Sequence, residues 1–198
     1  MSAAVRYFSP RRTLADVLPL QGIAVDALLI VLCSVLVGLS AQVAIPLPGI
    51  PVPVTGQTFA VLLTGMLLGS RRAAIAVLLY LSEGAAGLPV FAGGAAGAAV
   101  FAGNTAGYLF AFPLAAFLTG LLAERGWDRK PLTAGLGMFL GSLIILSIGS
   151  LVLSAFVGGV GRGFALGFVP FLPGDLIKTT LAAIALPGAW RLLERNHP

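Results

Sequence analysis

Residues 168–190 read FVPFLPGDLIKTTLAAIALPGAW, an apolar run that holds an acid and a base three residues apart, Asp175 and Lys178. At 1.5 Å per residue, about 20 apolar residues cross the ~30 Å hydrocarbon core of a bilayer, so this run is long enough to span one. Each charge then costs ~2.5–3.5 kcal/mol near the bilayer centre on insertion scales, and ionisable residues kept there face a bundle interior or cavity and mark function. Spacing i, i+3 puts both on one helical face. The stretch therefore predicts a membrane helix that carries a candidate ligand site.

The rest of the chain agrees with lipid as its solvent. Hydrophobic residues make up 58% and charged residues 10% of the 198, and the mean hydropathy is +1.02; a soluble globular chain carries about a quarter charged residues. Six spans are expected, at 22–44, 56–69, 72–87, 105–123, 132–157 and 168–190, the second and third short. The fold class expected is an all-α polytopic membrane protein. Its parts are a lead-in (1–21), a six-helix membrane domain (22–190) and a tail (191–198).

Basic residues supply the topology. Arg6, Arg11 and Arg12, then Arg71 and Arg72, then Arg125, Arg129 and Lys130, then Arg191 and Arg195 fall on alternate connections and at both ends, whereas segments 45–55, 88–104 and 158–167 hold Arg162 alone. The positive-inside rule places both termini in the cytoplasm. The net charge of +5 is a topology signal, because no basic stripe with interleaved aromatics is present to bind nucleic acid. The first run, at ~23 residues, exceeds the 7–15 of a signal-peptide core, so it is expected to stay.

Several chemistries find no residues to carry them. Cys33 is the single cysteine and His197 the single histidine, near the end of the tail, so neither a disulfide framework nor a metal site is expected. No phosphate-binding loop of the form G-x-x-x-x-G-K-[ST] occurs, and no nucleophile lies beside a base within the spans, so a transport subunit is expected rather than an enzyme.

Two of the outward connections are apolar and uncharged. Residues 45–54, IPLPGIPVPV, carry four prolines and predict a stiff extended segment. Residues 88–104 repeat Val-Phe-Ala-Gly at 90–93 and 100–103. Such loops either pack back against the helices or cover a binding site. Asp175 and Lys178 are expected ~10–15 Å below the outer boundary. Thr55, Gln57 and Thr58, Glu83, and Asn104, Thr105 and Tyr108 gather at that level as a polar cup. Each has a plainer reading: Asp175 and Lys178 neutralise one another, Asp175 caps a helix, Thr55 and Gln57 cap the second span, Tyr108 and Glu83 sit at headgroup level. Asp26 and Glu124 are expected to be solvated at cytoplasmic helix ends. The small-residue pair Ser34/Gly38 is a candidate docking face for a partner helix.

Four strings resemble the BioY family, the biotin-specific substrate-binding (S) components of energy-coupling factor transporters. They are PVPVTGQTFAVLLTGMLLGSRR (51–72), LLYLSEGAAGLPVFAGG (78–94), GYLFAFPLAAFLTGLLAER (107–125) and VPFLPGDLIKTTLAA (169–183). The resemblance implies a six-helix protein that binds biotin from outside and works with a transmembrane coupling (T) subunit and two ATPase subunits, with no cofactor of its own. It also implies that D-L-I-K, Asp175 to Lys178, recognises biotin, and that the segment from Phe91 to Tyr108 takes part. Where members often read G-P-T-G-G-Y, this chain has G-N-T-A-G-Y (103–108). The alternatives are an S component for another vitamin or a carrier that works without ATPases. Biotin's ureido ring would suit the pair, with Asp175 accepting N–H and Lys178 donating to the carbonyl, while Phe91, Phe101 and Tyr108 face its rings.

Overall fold

The computed structural model describes residues 13–17 and 21–196, with side chains to residue 192. Arg6, Arg11, Arg12, His197 and most of the lead-in lie outside the described residues. Among these residues six main helices follow one another: α1 (Ile23–Gln42), α2 (Gln57–Leu68), α3 (Ser70–Ala85), α4 (Ala106–Glu124), α5 (Pro131–Val157) and, after a shorter helix α6 (Val160–Gly167), α7 (Leu172–Asn196). Their bounds fall within a few residues of the six predicted spans, except that the last runs on past 190. As expected, α2 and α3 are short, ~18 and ~24 Å by helical rise. α1, α4, α5 and the stretch Val160–Leu192 are long and apolar enough to cross a membrane.

Two connections differ from expectation. Segment 158–167, expected as a connection between spans, is largely helical. Gly158 and Gly159, at φ 85° and 126°, make the turn out of α5, and Gly163 serves contact: a Cβ there would lie 2.6 Å from the Ser150 carbonyl oxygen and 2.7 Å from Ser154 Cβ, so glycine lets α6 lie directly on α5. The proline segment is a hairpin rather than a purely extended strand. Its ends, β1 (Ala44–Ile45) and β2 (Val54–Thr55), pair antiparallel with Ala44 opposite Thr55, and Val52 is buried beneath it.

α4 sits centrally, packed on α2, α3 and α5; α5 carries α6 and α7; α1 lies on α3 and α2. Met66, Tyr80, Met138, Ile145 and Leu153 fill the interior. The outer surface is apolar too, with Leu28, Leu32, Phe110, Leu114, Leu140, Ile177, Leu181 and Ile184 exposed, as a bilayer solvent requires. Ser34 and Gly38 are buried inside this chain, Ser34 by a hydrogen bond to Glu83 and Gly38 beside Val90. Their face is thus used internally and is not open to a partner helix.

The expected basic connections share one end of the bundle. Arg72 pairs with Asp16 and lies 3.5 Å from Asp26. Glu124 accepts the Ser70 backbone N–H and hydroxyl, both at 2.7 Å, so it caps α3 from the end of α4. Both acids have protein partners, which corrects the expectation that they are only solvated. The α2–α3 turn hinges on Gly69, at φ 83°, and presses on Gly120, where a Cβ would run into the backbone of Gly69 and Ser70. The Trp190 indole N–H donates to Asp128 at 2.6 Å and the Arg129 guanidinium lies 4.7 Å from the Trp190 ring centre, joining the end of α7 to the α4–α5 connection.

Gly120→Ala is expected to lower stability by ~1–3 kcal/mol through overpacking, whereas Gly161→Ala, with nothing within 4 Å of its added methyl, should leave it unchanged; thermal unfolding in detergent compares them. Burial pushes the Asp128 carboxyl up to about 6, against the Trp190 hydrogen bond and the Arg129 charge. Its contribution to stability is therefore present below the ordinary 3.8, is lost as pH rises through about 6, and is constant above. The difference in unfolding temperature between wild type and Asp128→Asn should change across that window alone.

Candidate functional site

The site is assembled at the opposite end, where three irregular segments meet the starts of three helices. Residues 91–102 fold into two short 3-10 turns, Ala92–Gly94 and Ala98–Ala102. They are tied down by hydrogen bonds from Phe91 N–H to the Ala95 carbonyl at 3.1 Å and from Gly97 N–H to the Gly84 carbonyl at 2.8 Å. Phe91 is 1% exposed and meets Tyr80 and Phe101 edge to face, each at 5.6 Å between ring centres. The Asn104 amide donates to the Pro51 carbonyl at 2.7 Å, fastening this segment to the proline hairpin.

Between these segments lies a cavity of about 230 Å³. Its apolar wall includes Val52, Phe91, Val100, Leu109, Phe112, Leu146 and Phe171; its polar groups are Thr55, Gln57, Thr58, Asn104, Thr105, Tyr108 and Lys178. Lys178 is the only charged residue among them. A small, mostly apolar pocket with a few convergent polar groups is the usual form of a small-molecule site. A larger hollow of about 460 Å³ at the basic end is lined by charged and polar side chains, with Leu68 its one apolar residue, and its acids are already spoken for, Asp16 by Arg72 and Glu124 by Ser70.

Lys178 holds the arrangement together. Its ammonium, on a side chain 21% exposed, donates to the Thr55 carbonyl at 3.0 Å, the Thr58 hydroxyl at 2.8 Å and Asp175 Oδ1 at 3.3 Å. Lysine has three donors, and each has a protein acceptor. Asp175 is 3% exposed and stands behind Lys178, away from the cavity wall. Its second oxygen, Oδ2, accepts from the Ser142 hydroxyl on α5. Asp175 and Lys178 fall in the first two turns of α7, ~5–9 Å along its axis, and Asp175 does not cap that helix.

Of the eleven candidate residues named from the sequence, eight line the cavity: Thr55, Gln57, Thr58, Phe91, Asn104, Thr105, Tyr108 and Lys178; Phe101 packs on Phe91 instead. The Gln57 amide donates to the Tyr80 hydroxyl, and the Thr55 hydroxyl accepts the Gln57 N–H at 3.3 Å, so both stabilise the start of α2 as well as lining the site. Tyr108 is buried, with its hydroxyl donating to the Gly167 carbonyl at 2.8 Å. Asp175 lies one layer back. Glu83 stands apart: it accepts from Ser34 at 2.6 Å and does not reach the cavity lining. The reading missed Ser142 and the apolar wall. Ser142 and Ser150 lie eight residues apart, hence on one face of α5, and both are buried; that periodicity was the available signal.

The sequence model of the BioY family matches residues 11–195. The chain is 43% identical over 155 residues to a protein of Thermotoga maritima named biotin transporter BioY, covering 76% of this chain and 87% of that one. It is 39% identical over 158 residues to the biotin transporter BioY of Rhizobium etli, covering 76% and 84%. Among solved structures, it superposes on a 2.1 Å crystal structure of the S-component for biotin from an ECF-type ABC transporter. The TM-score there is 0.76 at 26% identity, over 84% of this chain and 90% of that one. This chain belongs to the BioY family.

Removing one partner of a buried ion pair leaves the other charge uncompensated, at ~3–5 kcal/mol. Lys178→Met without ligand is therefore expected to lower the unfolding temperature more than the double change Asp175→Asn with Lys178→Met, which removes both charges.

Proposed function

We propose that this chain captures biotin in the cavity between the proline hairpin, segment 91–102 and the starts of α2, α4 and α7, and hands it on across the membrane. As a BioY-family chain it is a multi-pass membrane transport subunit, the S-component of an ECF-type biotin transporter, and not an enzyme. The observation that carries the site assignment is the single ammonium, Lys178, exposed to a small apolar pocket walled by uncharged loops.

Biotin fits that chemistry. Its fused rings are compact and apolar, suited to Phe91, Phe112 and Phe171. On binding, its ureido carbonyl takes a Lys178 donor in place of one of that ammonium's neutral acceptors, the Thr55 carbonyl or the Thr58 hydroxyl, and its ureido N–H groups find acceptors at Thr58 and Gln57. A charge-assisted bond inside a dry pocket is stronger than a neutral one, and a polar site rejects analogues that lack the matching group. Asp175, 3% exposed and outside the cavity lining, supports Lys178 from behind rather than touching the ligand.

The positive-inside rule sets the cavity on the outer side and the basic end with Arg71, Arg72, Arg125 and Lys130 in the cytoplasm, with both termini there. Biotin then binds from outside. The resemblance to BioY-family S components implies a transmembrane coupling subunit and two ATPase subunits as the source of energy, and this chain itself carries no phosphate-binding loop.

Calorimetry with biotin on the purified chain in detergent tests the reading. Wild type should bind tightly, and Lys178→Ala should lose ten- to a hundredfold in affinity, as expected for a hydrogen bond to a charged group. Unchanged affinity in folded Lys178→Ala removes the site from this cavity. A folded wild type that ignores biotin but binds another vitamin replaces the ligand.

A further inference from the structure

The geometry points to Ser142 as a positioning residue of the binding site: from α5, and without touching the ligand, it fixes the Lys178 ammonium through Asp175. The role rests on the biotin reading above.

Ser142 is 1% exposed and its hydroxyl donates to Asp175 Oδ2. The other oxygen, Oδ1, takes the ammonium at 3.3 Å. Each carboxylate oxygen therefore has one duty, and the plane of the carboxylate is defined by donors on two different helices, α5 and α7. Without the serine hydroxyl, Oδ2 loses its partner in an apolar interior, a position that buried carboxylates do not tolerate unpaired. The nearest compensation is the same ammonium. Lys178 is attached only three residues away, its stem is flexible, and its remaining donors go to the Thr55 carbonyl and Thr58 hydroxyl. Drawn inward to serve both oxygens, the ammonium would leave the cavity wall. Ser142 thus determines how far the ligand-facing charge reaches.

α5 is placed to hold that register. At Gly141, next to Ser142, a Cβ would lie 2.7 Å from Thr119 Cγ2 on α4 and would also meet Leu62 on α2. The helix therefore lies tightly on its neighbours beside the serine, and the hydroxyl is presented to α7 from a rigid base. On sequence alone, Ser142 is one hydroxyl among several in a hydrophobic span. In the structure it is the contact that links α5 to the charged pair.

The test uses two ligands on purified full-length protein in detergent: biotin, whose ureido carbonyl accepts a hydrogen bond, and 2-iminobiotin, in which a protonated guanidinium group removes that acceptor. Calorimetry is run on wild type, Ser142→Ala and Ser142→Thr, with thermal unfolding without ligand to establish that each variant is folded. Ser142→Ala should weaken biotin roughly tenfold, the loss expected for one displaced hydrogen bond to a charged group, while 2-iminobiotin, whose positive charge the Lys178 ammonium repels, does not weaken. The preference for biotin then falls by at least that factor. Ser142→Thr, which keeps the hydroxyl, should retain the preference. If Ser142 only packs helices, both ligands weaken equally and the preference stays constant, which overturns the role. So does a Ser142→Thr preference that matches Ser142→Ala. A folded wild type that does not bind biotin overturns the biotin reading and this role with it; a wild type that binds, with an unchanged preference in Ser142→Ala, overturns the role alone.

Discussion

An ammonium held inside an apolar bundle must have every donor answered, and the placement of Lys178 follows from that constraint. Its three acceptors come from the carbonyl of Thr55, the hydroxyl of Thr58 and the carboxylate of Asp175. One charge therefore ties the start of α2 to the start of α7, and Asp175 extends the tie to Ser142 on α5. The segments that wall the cavity converge on these same helix starts. The hairpin ends in Thr55, and Asn104, just before α4, reaches back to Pro51. The cavity lies where the polar demands of a buried charge draw these elements together.

The two ends of the bundle solve different problems. At the cavity end, polar side chains are few and point inward. At the basic end, charged side chains with protein partners close the helices off: Arg72 with Asp16, Glu124 as the cap of α3, and Asp128 with Trp190. α7 is held at both ends, by Lys178 near its start and by Trp190 near its finish. The close seat of the α2–α3 turn on Gly120 likewise makes α2, α3 and α4 a single packed unit, against which α1 lies mostly exposed along its outer face.

Much of this was legible in the chain itself because lipid leaves strong marks. Long apolar runs, alternating basic connections and an acid–base pair within a span have few other meanings, so six helices and the D-L-I-K pair could be read directly. What escaped the reading depends on contact. Segment 158–167 falls between two apolar spans and reads as a plain connection, whereas at Gly163 the missing side chain admits a helix against Ser150 and Ser154. Glu83 lies near the cavity residues in sequence, yet faces Ser34 across the α1–α3 contact. Asp175 and Lys178 looked equivalent at i, i+3, but neighbours on α5 and α2 put one behind the other. Ser142 has no meaning until its helix is packed, since a single hydroxyl in a membrane span is equally able to bond its own backbone.

The composition of the cavity wall has a thermodynamic result. Segment 92–99 is built wholly of alanine and glycine, side chains with no rotamers to freeze when a surface is buried. Its backbone is already restrained, by the Phe91–Ala95 and Gly97–Gly84 hydrogen bonds. A ligand pressed against Ala92 and Ala95, the residues of this segment that line the cavity, immobilises little that was free there, so the ordering entropy that usually subtracts from binding is small along this part of the wall. High affinity for a small molecule then requires few contacts, which is consistent with a pocket that offers one charge and a short set of polar groups.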